Sequence, residues 1–360
     1  MHRFARVLLV LWEFLFAVSS LSVLQVNSAP SACPPDCSVY LPMAKKPGAQ
    51  LKIGLVTDTA GVNDHSFNQS AWQAVLDAET NLGSTGDYIE SASQDDYATH
   101  INSFISQGYD LIITVAFTMG DATSVAALAH PTQKFTIVDF TYDPTLPNVR
   151  SQTYASEQAA FLSGYLAAGM TVTGKVATFG GMNIPPVTQF MNGYYQGVTY
   201  YNLEKGTSVE VLGWDPVTEE GEFTNDFNNP PAGHAMAVKL LGEGADIIFP
   251  VAGPTGLGAA QAVQWDGDSW VIGVDTDWTL SASAYASVVL TSAMKDVRAT
   301  TYEVIYRAYQ YNFTGGNYVG TLANEGVRLG TIASSVPGEL LTELEEVKAD
   351  IIAGTIIVTP

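Results

Sequence analysis

The chain has 360 residues, 47% of them apolar, enough for about two ordinary domains, each with its own core. Only 14% are charged, and 36 acids against 15 bases give a formal charge of -21. This balance excludes partners gripped through clustered Lys and Arg, so neither nucleic acid nor an anionic membrane surface is expected on the folded part.

Arg3 and Arg6 precede an apolar stretch running from Val7 to about Val26, and small residues follow at Ser28, Ala29 and Ala32. The pattern predicts a secretory signal over residues 1–32. An uncleaved anchor is the alternative, because the run approaches bilayer-spanning length. Export to the cell surface or periplasm is therefore expected, with membrane contact only through this N-terminus. Both cysteines, Cys33 and Cys37, stand just beyond the signal. A short-loop disulfide and lipid attachment at Cys33 both fit, and no thiol remains downstream for catalysis or metal binding. Residues 33–50, with Pro42, Lys45, Lys46 and Pro47, read as a linker.

From Leu51 onward, β-rich runs alternate with amphipathic stretches. Strand 51–57 leads to helix 66–81; strand 110–116, helix 121–129 and strand 134–140 follow. Helix 157–170, strand 175–180, helix 187–203 and strand 209–214 repeat the order, as do helix 232–241, strand 246–252, helix 256–263 and strand 270–275. A strand ending at Lys295, helix 296–311 and a short strand 326–331 come last. Such alternation predicts an α/β protein of two Rossmann-like lobes with parallel sheets joined by a hinge, the type I periplasmic-binding-protein architecture. A single open sheet would need about twelve strands, more than is usual. The break is placed at the Pro-rich 142–148, which puts 51–140 plus 296–313 in the N-terminal lobe and 141–295 plus 314–360 in the C-terminal lobe.

Ligands of such sheets bind beyond the C-terminal ends of the strands. Asp58, Asp139 and Asp275 all stand at strand ends, where a carboxylate accepts from ligand N–H or O–H groups, Asp275 suiting the vicinal hydroxyls of a sugar. Phe67, beside Asn68 in the first turn of its helix, and Trp214, at the end of its strand, offer faces for a flat ring. Ordinary packing is the competing reading for Phe67, and capping of the helix near Ser66 for Asp58, although Asp64 and Ser66 are closer to that task. Lys295 is one of few bases, at the end of the last strand before the chain crosses lobes.

The segments also resemble one family in order. Asp58-Thr-Ala-Gly-Val-Asn-Asp-His-Ser-Phe-Asn-Gln69, Glu157-Gln-Ala-Ala-Phe-Leu-Ser-Gly-Tyr-Leu-Ala-Ala168 and Gly180-Gly-Met-Asn-Ile-Pro-Pro-Val187 are followed by Ala252-Gly-Pro-Thr-Gly-Leu-Gly258, Ile272-Gly-Val-Asp-Thr-Asp277 and Leu290-Thr-Ser-Ala-Met-Lys295. Over roughly residues 51–331 the chain resembles the basic membrane protein family, substrate-binding proteins of ABC importers that include purine nucleoside receptors. The resemblance implies Phe67 and Trp214 on the base, Asp58 and Asp139 around that end, and Gly253, Asp275 and Lys295 on the ribose; Asn68 is a further ligand-binding candidate. The resemblance also implies a monomer that hands its ligand to an ABC permease. Two departures stand out: the second aromatic of the family is more often Phe, and the stretch 218–231 is longer than usual.

Enzyme motifs are lacking. Gly253-Pro-Thr-Gly-Leu-Gly258 has the spacing Gly-x-x-Gly-x-Gly rather than the dinucleotide fingerprint, and it lies late in the chain. No Gly-x-Ser-x-Gly elbow occurs. His2, His65, His100, His130 and His234 show no metal-ligand spacing. Neither catalysis nor a cofactor is expected. A receptor for a sugar or another small polar solute, and a surface sensor that uses the same lobes without transport, remain the alternative functions.

Overall fold

A computed structural model describes residues 50–360. The expectations for the signal, for Cys33 and Cys37, and for all but the last residue of the linker lie outside the described residues.

The first run of elements is β1 (Lys52–Thr57), α1 (Phe67–Leu82), β2 (Thr85–Glu90), α2 (Tyr97–Ser106), β3 (Leu111–Val115), α3 (Gly120–Ala129), β4 (Lys134–Val138) and β5 (Val149–Tyr154). After α4 (Ser156–Met170) come β6 (Lys175–Gly180), α5 (Pro185–Lys205), β7 (Glu210–Leu212), the two-residue strands β8 (Trp214–Asp215) and β9 (Glu220–Gly221), and α6 (Pro230–Gly242). Then follow β10 (Ile247–Val251), α7 (Pro254–Asp266), β11 (Trp270–Asp275), α8 (Trp278–Ser281) and β12 (Val289–Lys295). The chain ends with α9 (Val297–Tyr309), β13 (Gly316–Gly320), β14 (Val327–Leu329) and α10 (Gly338–Ala353).

Two six-stranded sheets result, in the orders β13-β5-β4-β3-β1-β2 and β14-β12-β11-β10-β6-β7. The first is parallel throughout; in the second only β14 runs antiparallel, against β12. The central strands read as continuous apolar runs because helices cover both faces: every residue of β3 and of β10 is buried. The two-lobed parallel α/β architecture expected from the sequence is therefore present.

The lobe boundary differs from the expected one. β5 and β13 pair with each other, and β5 with β4, in the first sheet, so residues 141–154 and 314–320 belong to the first lobe rather than the second. The cause is hydrogen bonding: the Pro-rich 142–148 is a loop within the first lobe, and β5 completes the ladder on its far side. The chain crosses between lobes three times, at 154–156, 295–297 and 320–327. The crossings are tied to one another, Ala155 N donating to Gly320 O at 2.7 Å and Asp296 N to Gly326 O at 2.9 Å.

α4 is buried on nearly all sides, as a helix apolar around its circumference must be. It lies backbone to backbone on α5: a Cβ on Gly197 would stand 2.0 Å from the Phe161 carbonyl oxygen, so only glycine admits this approach. Among the described residues no helix is long and apolar enough to cross a membrane.

Candidate functional site

A cavity, partly open to solvent, lies where the C-terminal ends of the two sheets face each other. From the first lobe it is lined by Asp58, Asp64, Phe67, Asn68, Phe117 and Asp139, and from the second by Phe190, Phe227, Gly253 and Asp275, with Lys295 at the crossing. Of the residues singled out in the sequence, Asp58, Phe67, Asn68, Asp139, Gly253, Asp275 and Lys295 are brought together here. Trp214 is not.

The loop after β1 organises one end. Asp64 accepts from the backbone N–H groups of Ser66, Asn68 and Gln69 at 2.8–2.9 Å, closing the N-terminus of α1. Asp58 Oδ1 accepts from Ala60 N at 3.0 Å and from Asn68 Nδ2 at 2.8 Å. Asn68 Oδ1 is buried without a protein partner. An acceptor in that state, beside the Asp58 carboxyl, can take a donor from a ligand or from water. Burial pushes the Asp58 carboxyl up, against the hydrogen bonds from Asn68 and Ala60. It pushes Asp64 up to about 6, even with its backbone donors.

A second cluster is built from matching strand positions, and it pairs Asp139 with Lys295, whereas the resemblance implied a place for that acid with Asp58. Asp139 follows β4 and Asp275 ends β11, strands that occupy equivalent places in the two sheet orders. Both have left-handed backbones, with φ of 65° and 64°, a region Asp enters more readily than most residues. Between them, Lys295 Nζ donates to Asp139 Oδ2 at 2.7 Å and lies 3.9 Å from Asp275 Oδ1. The Lys295 side chain is only 3% exposed. Its ammonium stands 4.9 Å from the Phe190 ring centre and 5.4 Å from that of Phe67, within cation–π range. Burial pushes both carboxyls upward; the ammonium pulls each back down, and Asp139 adds to the rise at Asp275. Gly253 caps α7 at φ 52°, ψ −136°, a conformation that strains any other residue.

Trp214 is a correction. It is buried, with Nε1 donating to Asn192 Oδ1 at 2.8 Å and its ring edge-on to Phe223. The short β8–β9 hairpin opens the stretch that follows Trp214. The chain then returns along β6, where Phe223 bridges to Gly180, and delivers Phe227 to the cavity. A Cβ on Gly181 would lie 2.3 Å from the Phe227 ring, so that glycine seats it. Phe117, Phe190, Phe227 and Asp64 were not anticipated as lining residues. The signal for Phe227 is its place just before Asn229-Pro-Pro, the start of α6, whose first turn Asn229 caps.

Glu157, in the first turn of α4, is buried, with Oε2 unpartnered. Burial pushes its carboxyl from the ordinary 4.5 up to about 7. A folded-state value above the unfolded one stabilises the fold below about pH 4.5, and that contribution is lost as pH rises through about 7. Glu157→Gln is thus expected to gain on the wild type by on the order of 3 kcal/mol between pH 4.5 and pH 8. Urea midpoints at both pH values check this, and a constant offset would contradict it.

Residues 51–359 match the family described as ABC transporter substrate-binding protein PnrA-like. The chain belongs to this family. It is 33% identical over 326 residues to the ABC transporter nucleoside-binding protein BmpA of Lactococcus lactis, covering 86% of this chain and 89% of the relative. It is 30% identical to basic membrane protein A of Borreliella burgdorferi, covering 85% and 87%. Among solved structures, it is similar to an ABC transporter solute-binding protein of Aeropyrum pernix, with a TM-score of 0.78 and 26% identity over 86% of this chain and 94% of the other. In this PnrA-like protein the cavity between the sheets gathers the positions for which the resemblance implies ligand contacts, Trp214 excepted. Among the described residues no group of three His, Cys, Asp or Glu side chains is placed to hold a metal ion.

Proposed function

We propose that this PnrA-like protein captures a purine nucleoside outside the cytoplasm, closes its lobes over it and passes it to an ABC permease for import. The observation that carries the reading is the division of labour in one cavity. Phe67 and Phe227 bring ring faces from opposite lobes, Asn68 and Asp58 bring acceptors, and Asp139, Asp275 and Lys295 form a charged cluster suited to hydroxyls, its ammonium 5.4 Å from the Phe67 ring centre. Contacts from both lobes make the closed form the one that a ligand favours. The nucleoside-binding relative from Lactococcus lactis supports the ligand class.

Thermal unfolding against a panel of purine and pyrimidine nucleosides, free bases and sugars tests it. A ligand at 100 times its dissociation constant adds about 2.7 kcal/mol of stability, and purine nucleosides are expected to give the largest rise in Tm. A sugar outranking them, or a panel without any shift, would sink the reading.

The aromatic assignment has its own test. Phe227→Ala is expected to weaken nucleoside binding by about 1–3 kcal/mol through lost stacking and burial. Trp214→Phe is expected to leave affinity within about twofold and to cost about 1 kcal/mol of stability through the lost bond to Asn192. Calorimetry and denaturant unfolding separate the two effects; a larger affinity loss at Trp214 would reverse the assignment.

A further inference from the structure

Ser66 precedes the first residue of α1, a position where a serine hydroxyl ordinarily accepts from an N–H in the first turn of its own helix. It makes no such bond. Asp64 does that work instead, and the buried Ser66 hydroxyl donates to Asp275 Oδ2 at 3.1 Å, in the opposite lobe. The adjacent residues form the reciprocal link: Thr276 Oγ1, from the second lobe, donates to the His65 carbonyl oxygen at 3.2 Å. His65 has φ 56° and Asp275 φ 64°, backbone conformations that non-glycine residues hold only where their surroundings enforce them. Local capping preference and backbone ease are both given up where the two lobes meet, as happens at functional sites.

We propose that Ser66 is a positioning residue that acts through Asp275, and that with Thr276 it forms a two-point latch between the lobes. The Ser66 hydroxyl holds Oδ2 and leaves Oδ1, 3.9 Å from the Lys295 ammonium, as the oxygen open to a ligand hydroxyl. The carboxylate that grips the ligand is therefore set by the lobe it does not belong to. It reaches its binding geometry only on closure, so hydroxyl recognition and lobe closure strengthen each other.

The ligand arm of this inference rests on the nucleoside reading; the latch arm does not. The test takes the full chain as wild type, Ser66→Ala and Thr276→Val, and measures binding kinetics with inosine and with its 2′,3′-dideoxy analogue. Small-angle X-ray scattering without nucleoside accompanies it. Ser66→Ala is expected to speed inosine dissociation about tenfold with little change in association, and to speed that of the dideoxy analogue, which leaves Asp275 nothing to hold, only as much as Thr276→Val does. Thr276→Val, which cuts the latch without touching the Asp275 side chain, is expected to speed dissociation of both nucleosides alike. Both variants are expected to show a larger radius of gyration than the wild type. An equal Ser66→Ala penalty on the two nucleosides would overturn the positioning role, and unchanged scattering in both variants would overturn the latch. Should the wild type bind neither nucleoside, the proposed function fails, and the scattering comparison alone decides the latch.

Discussion

Replacing Lys295 with methionine is expected to cost about 3–5 kcal/mol of stability at neutral pH, the usual penalty for removing one member of a buried ion pair. The ammonium is the partner of Asp139 at 2.7 Å and lies 3.9 Å from Asp275. Without it, two buried carboxyls face each other uncompensated. Burial already holds both above their ordinary range while the ammonium pulls them down, so the substitution raises them further. A carboxyl raised on folding contributes stability that is lost as pH increases, and the deficit of the variant should therefore widen from pH 5 to pH 8. Guanidinium unfolding at the two pH values checks the direction. Adding Asp139→Asn to Lys295→Met should recover part of the loss, because it removes the stranded charge rather than restoring a pair. A deficit independent of pH, with no recovery in the double variant, would mean that Lys295 serves as packing.

Asp275→Asn is expected to weaken nucleoside binding by about 2–3 kcal/mol, or roughly 30- to 150-fold, the loss of a charged acceptor for the sugar hydroxyls. Asparagine is the informative substitute because it tolerates the left-handed backbone at this position. Asp275→Ala loses the same acceptor and adds the strain of a β-carbon in that conformation, about 1–2 kcal/mol, which should appear in stability. Titration calorimetry on both, with unfolding curves alongside, separates acceptor from backbone. Wild-type affinity in Asp275→Asn would remove Asp275 from the ligand contacts.

What the sequence disclosed, and what it hid, follows from how each residue is satisfied. β6 and β11 were legible to the residue because apolar runs end abruptly at Gly180 and Asp275. The strand-end acids and Lys295 were legible because a charge directly after a buried strand has few structural reasons to be there. β5 was hidden by its polarity. Its Val-Arg-Ser-Gln-Thr-Tyr buries Ser151 and Gln152, whose amide donates to Thr136 Oγ1 at 2.8 Å and accepts from Thr301. A strand held by side-chain hydrogen bonds lacks the apolar signature, and missing it moved the lobe boundary. β2, an edge strand with no fully buried residue, left no pattern either. At Trp214 the error had another cause. A tryptophan ending a strand ahead of Asp-Pro promises an exposed face, yet the hairpin beyond it folds back and buries the ring, and it is Phe227, thirteen positions on, that lines the cavity. Composition does not announce that return; only the contact with Gly181 does.

The single ammonium between matched acids also sets a limit on cargo. Among the described residues Lys295 is the one base lining the cavity, and it is already engaged by Asp139. A phosphate ester would bring a charge of about −1.5 to −2 into a chamber walled by carboxyls, with no spare cation to receive it. A nucleotide is thus expected to raise Tm less than the nucleoside it contains, and thermal unfolding with such a pair checks this.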